Sequence, residues 1–278
     1  MNLPIQAAQS LRERLANSRR TGKAILGAGT GTGLVAKAAA AADPEFIVVY
    51  CTSKARVRGF PTSIIGDPNG ITLELLPDVI RVAKDVPVIA GIQATDPTRS
   101  TDELLECYQA LGCAGVINYP SSGLYGPTYI GGPYSYRDGL ALEAEVMRSA
   151  QRIGLVTMSY VYRPNEASVL APHLDVAVAH AGWTTGGMDG APEEQTYEDA
   201  AREVNVQLEA VRDVSSNCYL LAHGGPFSSP EDVQHMYELT IAEGFVGASS
   251  VERIPVERAV EETVRAFQEL NPNTKKGE

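Results

Sequence analysis

Short apolar runs rich in valine, isoleucine and alanine recur along this chain, each bounded by glycine or proline. Eight of them read as strands, at residues 24–27, 46–50, 86–91, 115–118, 155–160, 174–180, 218–222 and 244–247. They are continuous rather than alternating, the pattern of strands buried on both faces. Amphipathic stretches fill most of the intervals, at residues 34–42, 71–84, 102–111, 140–152, 165–171, 197–214, 230–243 and 255–270. The 3.6-residue period is clearest at Leu104, Leu105, Tyr108 and Leu111, with Thr101 as the expected N-cap. Ser229-Pro230-Glu231-Asp232 reads as a helix start, with a cap, proline in the first turn and acids against the dipole. Pro77 predicts a kink or restart within 71–84.

Strand alternating with helix eight times predicts a closed parallel sheet, an α/β fold of the (β/α)8 TIM-barrel type. No linker or composition break divides residues 1–278, so one domain is expected. A helix within residues 1–20, amphipathic over 5–15, is expected to close the barrel floor, and the polar tail 271–278 to be flexible. The rival is a doubly wound open sheet with a nucleotide loop at Gly27-Ala28-Gly29-Thr30-Gly31-Thr32-Gly33. That run misses the GxGxxG spacing and the Walker Lys-Ser/Thr pair, and Tyr50-Cys51-Thr52 stands where an acidic residue should end the second strand.

Composition narrows the partners. The chain has 278 residues, 44% of them hydrophobic, and a net charge of −11. Such a surface repels nucleic acid and anionic membranes, and an anionic substrate would need a local basic or N–H-rich pocket. The four cysteines form no CxxC pair and read as free thiols of a reducing compartment. No apolar run reaches the length of a bilayer span, and the charged start of the chain lacks a signal-peptide core, so a cytoplasmic location is expected.

In a barrel the strand ends meet in one cup. The candidates there are Gly29 and Thr30, Tyr50 and Thr52, Gln93, Thr95 and Asp96, Asn118 and Tyr119, Tyr160, His180, His223, and Ser249, Ser250 and Glu252. Two late apolar runs break into glycine-rich turns, His223-Gly224-Gly225-Pro226 and Gly247-Ala248-Ser249-Ser250. Amides of Gly224, Gly225, Ser249 and Ser250 would cradle an anion, the usual occupant of the loops after strands seven and eight. His180 and His223 either shuttle a proton or tie down loop carbonyls. Asp96 is a base, a metal ligand or the cap of its own Asp-Pro turn. Glu143, near a helix start, reaches the cup or faces solvent. Lys54, Arg56 and Arg58 form either a solvated face or a lid whose arginine clamps an anion. No HxH, HExxH or GxSxG motif occurs; Mg2+ or another divalent cation on Asp96 and waters is conceivable.

These motifs together resemble the phosphoenolpyruvate hydrolase-like family of TIM-barrel proteins, also called TIM-barrel signal transduction proteins. The likeness rests on Gly27-Ala28-Gly29-Thr30-Gly31 with Lys37, Thr95-Asp96-Pro97, Gly115-Val116-Ile117-Asn118, Ala179-His180-Ala181-Gly182 and Thr184-Thr185-Gly186-Gly187. His223-Gly224-Gly225-Pro226, Pro230-Glu231-Asp232 and Gly247-Ala248-Ser249-Ser250-Val251-Glu252-Arg253 extend it over nearly the whole chain. The resemblance implies kinship with phosphoenolpyruvate mutases and isocitrate lyases, a small phosphoenolpyruvate-like oxo-acid or enol substrate, and hydrolysis or cleavage of a C–C, C–P or P–O bond. The chain departs from the mutase pattern in its acidic cluster, reduced to Asp96 with Asn118 where a carboxylate would stand. Residues 121–137, with Tyr125, Tyr129, Tyr134 and Tyr136, also depart and are expected to reshape the pocket. Two alternatives follow: a C–C bond hydrolase of retro-Claisen type on a β-dicarbonyl or polyketide-like substrate, and a ligand-binding or signalling barrel without chemistry. Fold analogy adds a homo-oligomer.

Overall fold

Eight parallel strands pair in sequence order and β8 returns to β1, closing the barrel in the computed structural model, which describes residues 3–126, 136–192 and 195–272. The strands are β1 (Ile25–Gly29), β2 (Phe46–Val49), β3 (Val88–Gly91), β4 (Gly115–Ile117), β5 (Val156–Val161), β6 (Val176–His180), β7 (Tyr219–His223) and β8 (Gly244–Gly247). The helices are α1 (Leu3–Thr21), α2 (Gly33–Ala41), α3 (Ser53–Arg56), α4 (Pro68–Ala83), α5 (Thr101–Leu111), α6 (Tyr136–Arg152), α7 (Ala167–Leu170), α8 (Tyr197–Val214), α9 (Pro230–Leu239), α10 (Ser249–Glu252) and α11 (Ile254–Gln268).

The two faces of each strand feed two cores. Phe46, Val48, Ile89, Ile117, Val156, Met158, Val176, Val178, Leu221 and Val246 fill the barrel interior. Ile47, Val49, Val88, Ala90, Val116, Ala177, Ala179 and Ala222 face outward against Leu76, Leu104, Tyr108, Met147, Leu208 and Met236 of the helices. A strand buried on both sides shows no alternation of polarity, so parity appears only once the barrel closes.

As expected, α1 closes the floor. Ala8, Leu11 and Leu15 join the interior core. Arg12 donates to the carbonyls of Gly154 and Leu155 at 3.2 and 3.3 Å, and Arg19 to that of Cys218 at 2.8 Å, all at strand entries.

Several boundaries differ from the sequence reading. β1 runs through the glycines to Gly29 instead of stopping at 27. A Cβ on Gly27 would lie 2.3 Å from the Phe46 ring, so this glycine makes room for Phe46. The first three residues of the run are therefore strand, and Gly33 already opens α2. Ser100, not Thr101, caps α5 through the Glu103 amide. Pro77 sits inside an unbroken α4, and α9 stops at Leu239. The Ser229 cap is present as a capping box with Asp232. Tyr129 and Tyr134, with most of the segment expected to reshape the pocket, lie outside the described residues, as do residues 273–278 of the expected flexible tail. Among the described residues no helix is long and apolar enough to cross a membrane.

Candidate active site at the barrel mouth

Parity places the site. The interior face of β2 continues from Phe46 and Val48 to Tyr50, and that of β4 from Ile117 to Tyr119. In the same way β5 leads to Tyr160, β6 to His180 and β7 to His223, all at the C-terminal rim where barrel sites lie. The rings touch in series. Centroids are 4.5 Å apart for Tyr50–Tyr119, 5.7 Å for Tyr119–Tyr160, 5.1 Å for Tyr160–His223 and 5.0 Å for His223–His180. Tyr162 stacks on His180 at 4.6 Å, and the Tyr50 and Tyr160 hydroxyls are 3.3 Å apart. Burial raises the pKa of both phenols, so they stay protonated. A cavity of about 200 Å³ opens above, lined by Tyr50, Tyr119, His180, His223, Trp183 and Ser249 among others.

The histidines are buried and held in opposite tautomers. His223 Nδ1 lies 2.6 Å from the Val246 carbonyl, which only accepts, so Nδ1 carries the proton and Nε2 keeps its lone pair. His180 Nδ1 accepts from the Gly182 amide at 3.1 Å, so its proton sits on Nε2. Burial lowers the His223 pKa to about 4, against the opposing effect of the Val246 carbonyl. Burial, with His223 beside it, also drives His180 well below its ordinary value. Two neutral imidazoles therefore face one cavity, one as a base and one as a hydrogen-bond donor.

The expected arginine lid is corrected, and one amide of the expected anion cradle, that of Gly225, is already spent. Arg56 is buried and paired with Glu252 at 2.8 Å, with side chains 1% and 2% exposed. Its Nε also donates to Glu252, Nη1 donates to Thr52, and Nη2 donates to Ser53 as well. Glu252 also accepts from the Gly31 amide at 2.7 Å and the Thr30 hydroxyl at 3.2 Å. Arg56 lines the cavity, but its charge is neutralised in a clasp joining the loops after β1, β2 and β8. Thr30 belongs to that clasp, and Gly29 packs on the β8 exit, where a Cβ would meet the Gly247 carbonyl at 2.9 Å. Gly225 spends its amide on the Gly182 carbonyl at 2.9 Å. At Gly224, with φ +78, a Cβ would lie 2.1 Å from that same carbonyl. The double glycine thus zips the loops after β6 and β7 together. Ser249 lines the cavity, its hydroxyl 3.3 Å from that of Thr62, whereas the Ser250 hydroxyl is buried elsewhere without a partner.

Four more expected residues are placed outside this cavity. Asp96 receives Asn69, Thr98 and Arg99, the last at 2.8 Å. Burial raises its pKa, but those hydrogen bonds prevail and hold it at about 2, so it is neither a base near neutrality nor an open metal ligand. Gln93 gives its amide to Asn69. Asn118 ties β4 to β5 by accepting from the Tyr160 amide at 2.7 Å and donating to Glu143 at 2.6 Å. Glu143 also accepts from the Ser122 amide at 2.6 Å, and burial raises its pKa to about 7. It anchors the turn after β4 rather than the reacting groups.

Trp183, Thr184, Asp189, Tyr162 and Thr62 line the cavities but were not among the sequence candidates. The glycine-rich stretch after His180 was the signal for the first three, since such loops fold over a barrel rim. Asp189 is the acidic side chain lining the histidine cavity among the described residues.

Solved structures share the fold. Oxaloacetate acetylhydrolase with the product oxalate has TM-score 0.64 and 15% identity, over 99% of this chain and 90% of that one. 2,3-Dimethylmalate lyase, a PEP mutase/isocitrate lyase superfamily member, has TM-score 0.63 and 14% identity, over 97% and 92%. Phosphonopyruvate hydrolase, solved with oxalate and Mg2+, has TM-score 0.59 and 14% identity, over 94% and 84%. The donors present here do not fit such an ion. Among the described residues no three His, Cys, Asp or Glu side chains group to hold a metal, and Asp96 is spent on Arg99.

In sequence the chain is 36% identical over 274 residues to the ToMV resistance protein Tm-1(GCR237) of Solanum lycopersicum, 96% of this chain and 36% of that protein. It is 36% identical over 266 residues to the ToMV susceptible protein tm-1(GCR26) of the same species, 93% and 35%. It thus spans about a third of the length of these curated relatives. The phosphoenolpyruvate hydrolase-like pattern matches residues 10–270, and the chain belongs to that family.

Proposed function

We propose that this chain is an enzyme that hydrolyses a C–C bond beside a carbonyl in an uncharged oxo or enol substrate, at the C-terminal mouth of the barrel. The observation that carries the reading is the pair of neutral, oppositely protonated histidines on one aromatic-lined cavity. Oxaloacetate acetylhydrolase, whose product is oxalate, provides a hydrolase on the same fold.

The chemistry balances with these groups alone. On a β-dicarbonyl, His223 Nε2 takes a proton from water as the hydroxide oxygen bonds to one carbonyl carbon. His180 Nε2–H holds the oxygen that becomes negative. The tetrahedral alkoxide collapses to an acid, the C–C bond breaks, and its electron pair enters the neighbouring carbonyl as an enolate. His223 returns its proton to the enolate carbon, leaving a ketone. Water is consumed and both imidazoles end as they began.

A phosphate-bearing substrate is less well served. Arg56 is neutralised by Glu252, Gly225 has spent its amide, and Asp189 adds negative charge. A panel of pentane-2,4-dione, oxaloacetate and phosphoenolpyruvate, followed by mass spectrometry, tests this. Acid and ketone from the diketone support the reading; phosphate release from phosphoenolpyruvate, with an inert diketone, overturns it.

We also propose a homo-oligomer. Helix α11 exposes Val256, Val260, Val264 and Phe267 along one stripe, Val260 at 57% and Phe267 at 69%. β1 meanwhile leaves Leu26, a mid-strand residue, 42% exposed. A second copy would cover both.

A further inference from the structure

The histidine cavity adjoins further chambers at the barrel mouth. It shares His180, Trp183 and Ala191 with a second chamber of about 440 Å³. That chamber in turn shares Tyr162, Glu203 and Gln207 with a groove of about 360 Å³ that passes Pro164 and Val206 on the outer side of α8. The second chamber has apolar walls at Leu124, Trp183, Pro192 and Pro226. Its far side is polar, where Gln195 donates to Glu203 at 3.1 Å. Trp183, the single tryptophan of the chain, stands edge-on to His180 at 6.3 Å and is 45% exposed. The Tyr162 hydroxyl is buried at the junction with no hydrogen-bond partner.

We infer that the substrate is an extended oxo compound with an apolar tail. Its reacting carbonyl lies at His180 and His223, and its tail passes Trp183 into the second chamber. The inference rests on the site assignment above and adds the shape and polarity of the ligand. Glu203 and Arg163 both line that chamber, so no net charge there selects the tail, and the apolar walls reward each buried methylene.

Trp183 supplies a readout independent of turnover. Methyl ketones from butan-2-one to decan-2-one carry one carbonyl and no C–C bond of the β-dicarbonyl kind, so they bind without reacting. Titrated against Trp183 fluorescence, they should bind about fourfold more tightly per added methylene until the chain reaches the open groove. Leu124→Phe, which narrows the second chamber without adding a tryptophan, should abolish most of that gain. Decane-2,4-dione should be hydrolysed with at least tenfold higher kcat/KM than pentane-2,4-dione. Affinity independent of chain length, or a length dependence unchanged in Leu124→Phe, overturns the inference even if short diketones are cleaved. Length-dependent binding with no diketone cleavage overturns the proposed reaction and leaves the tail site standing.

Discussion

His180 and His223 are register partners at the last positions of β6 and β7, with rings 5.0 Å apart and their Nδ1 atoms in opposite hydrogen-bonding roles. Backbone pairing sets the distance, while the Gly182 amide and the Val246 carbonyl set the protons. Neither histidine needs a carboxylate to choose its tautomer.

Removing either imidazole should therefore cost catalysis and not fold. His223→Ala and His180→Ala are each expected to lower kcat by about a hundredfold to ten-thousandfold, with unchanged circular dichroism. Because His223 titrates at about 4, the wild-type rate should hold from neutrality nearly to pH 4 and then fall. A half-maximal rate near pH 6.5 would assign the base to another group.

Stability should respond to pH through the two buried histidines and, with opposite sign, through buried Glu143. His223 is lowered from 6.5 to about 4, so the unfolded chain binds the extra proton in that window and stability falls as pH drops through it. The loss approaches roughly 3 kcal/mol. Glu143 is raised from 4.5 to about 7, so its contribution is present below pH 4.5 and is lost as pH rises through 7. Glu143→Gln should remove that second slope, read by urea denaturation at several pH values. Its absolute stability should also drop, because an amide NH2 must face the Asn118 or Ser122 donor. An unchanged slope would mean that Glu143 stays ionised throughout.

The Arg56–Glu252 clasp predicts an asymmetric double-mutant cycle. Arg56→Met alone leaves the Glu252 carboxylate buried without its partner and should cost about 3–5 kcal/mol. Arg56→Met with Glu252→Met should recover part of that loss. A single-variant cost below about 1 kcal/mol would show that the pair does not hold the barrel seam.

Gly224→Ala should couple backbone strain to the site. The new methyl would sit 2.1 Å from the Gly182 carbonyl at a φ of +78, and Gly182 is the residue whose amide holds His180. A loss of more than about 1 kcal/mol and a marked drop in kcat are expected, followed by thermal melting and steady-state assay. Wild-type behaviour in both would show that the loops after β6 and β7 are not tightly zipped.

The exposed stripe of α11 predicts concentration-dependent assembly. Val260→Glu with Val264→Glu should shift the species seen by light scattering to the monomer while leaving the barrel folded. A wild-type chain that is monomeric at every concentration tested would refute the homo-oligomer.

Element type and order were legible before any coordinates. Eight valine- and isoleucine-rich runs alternate with helical periods, and parallel strands buried on both faces leave few other arrangements. The two histidines were legible as strand-end residues for the same reason. The carboxylates were not. Asp96 and Glu143 are acids near strand exits in sequence, yet Arg99 consumes one, and Asn118 with the Ser122 amide anchors the other. Arg56 read as a free cation because its partner, Glu252, lies 196 positions away. Trp183 and Tyr162 went unnamed because loop residues carry no periodicity that aims them at a cavity.

Local chain chemistry thus decided what each segment became: apolar runs, caps and glycines act within a few residues, and their effects can be read in order. Which polar groups are spent and which stay available was settled by barrel closure. Inward parity and long-range ion pairing exist only when β8 meets β1, and they leave two neutral imidazoles, an aromatic wall and a neutralised arginine around one cavity.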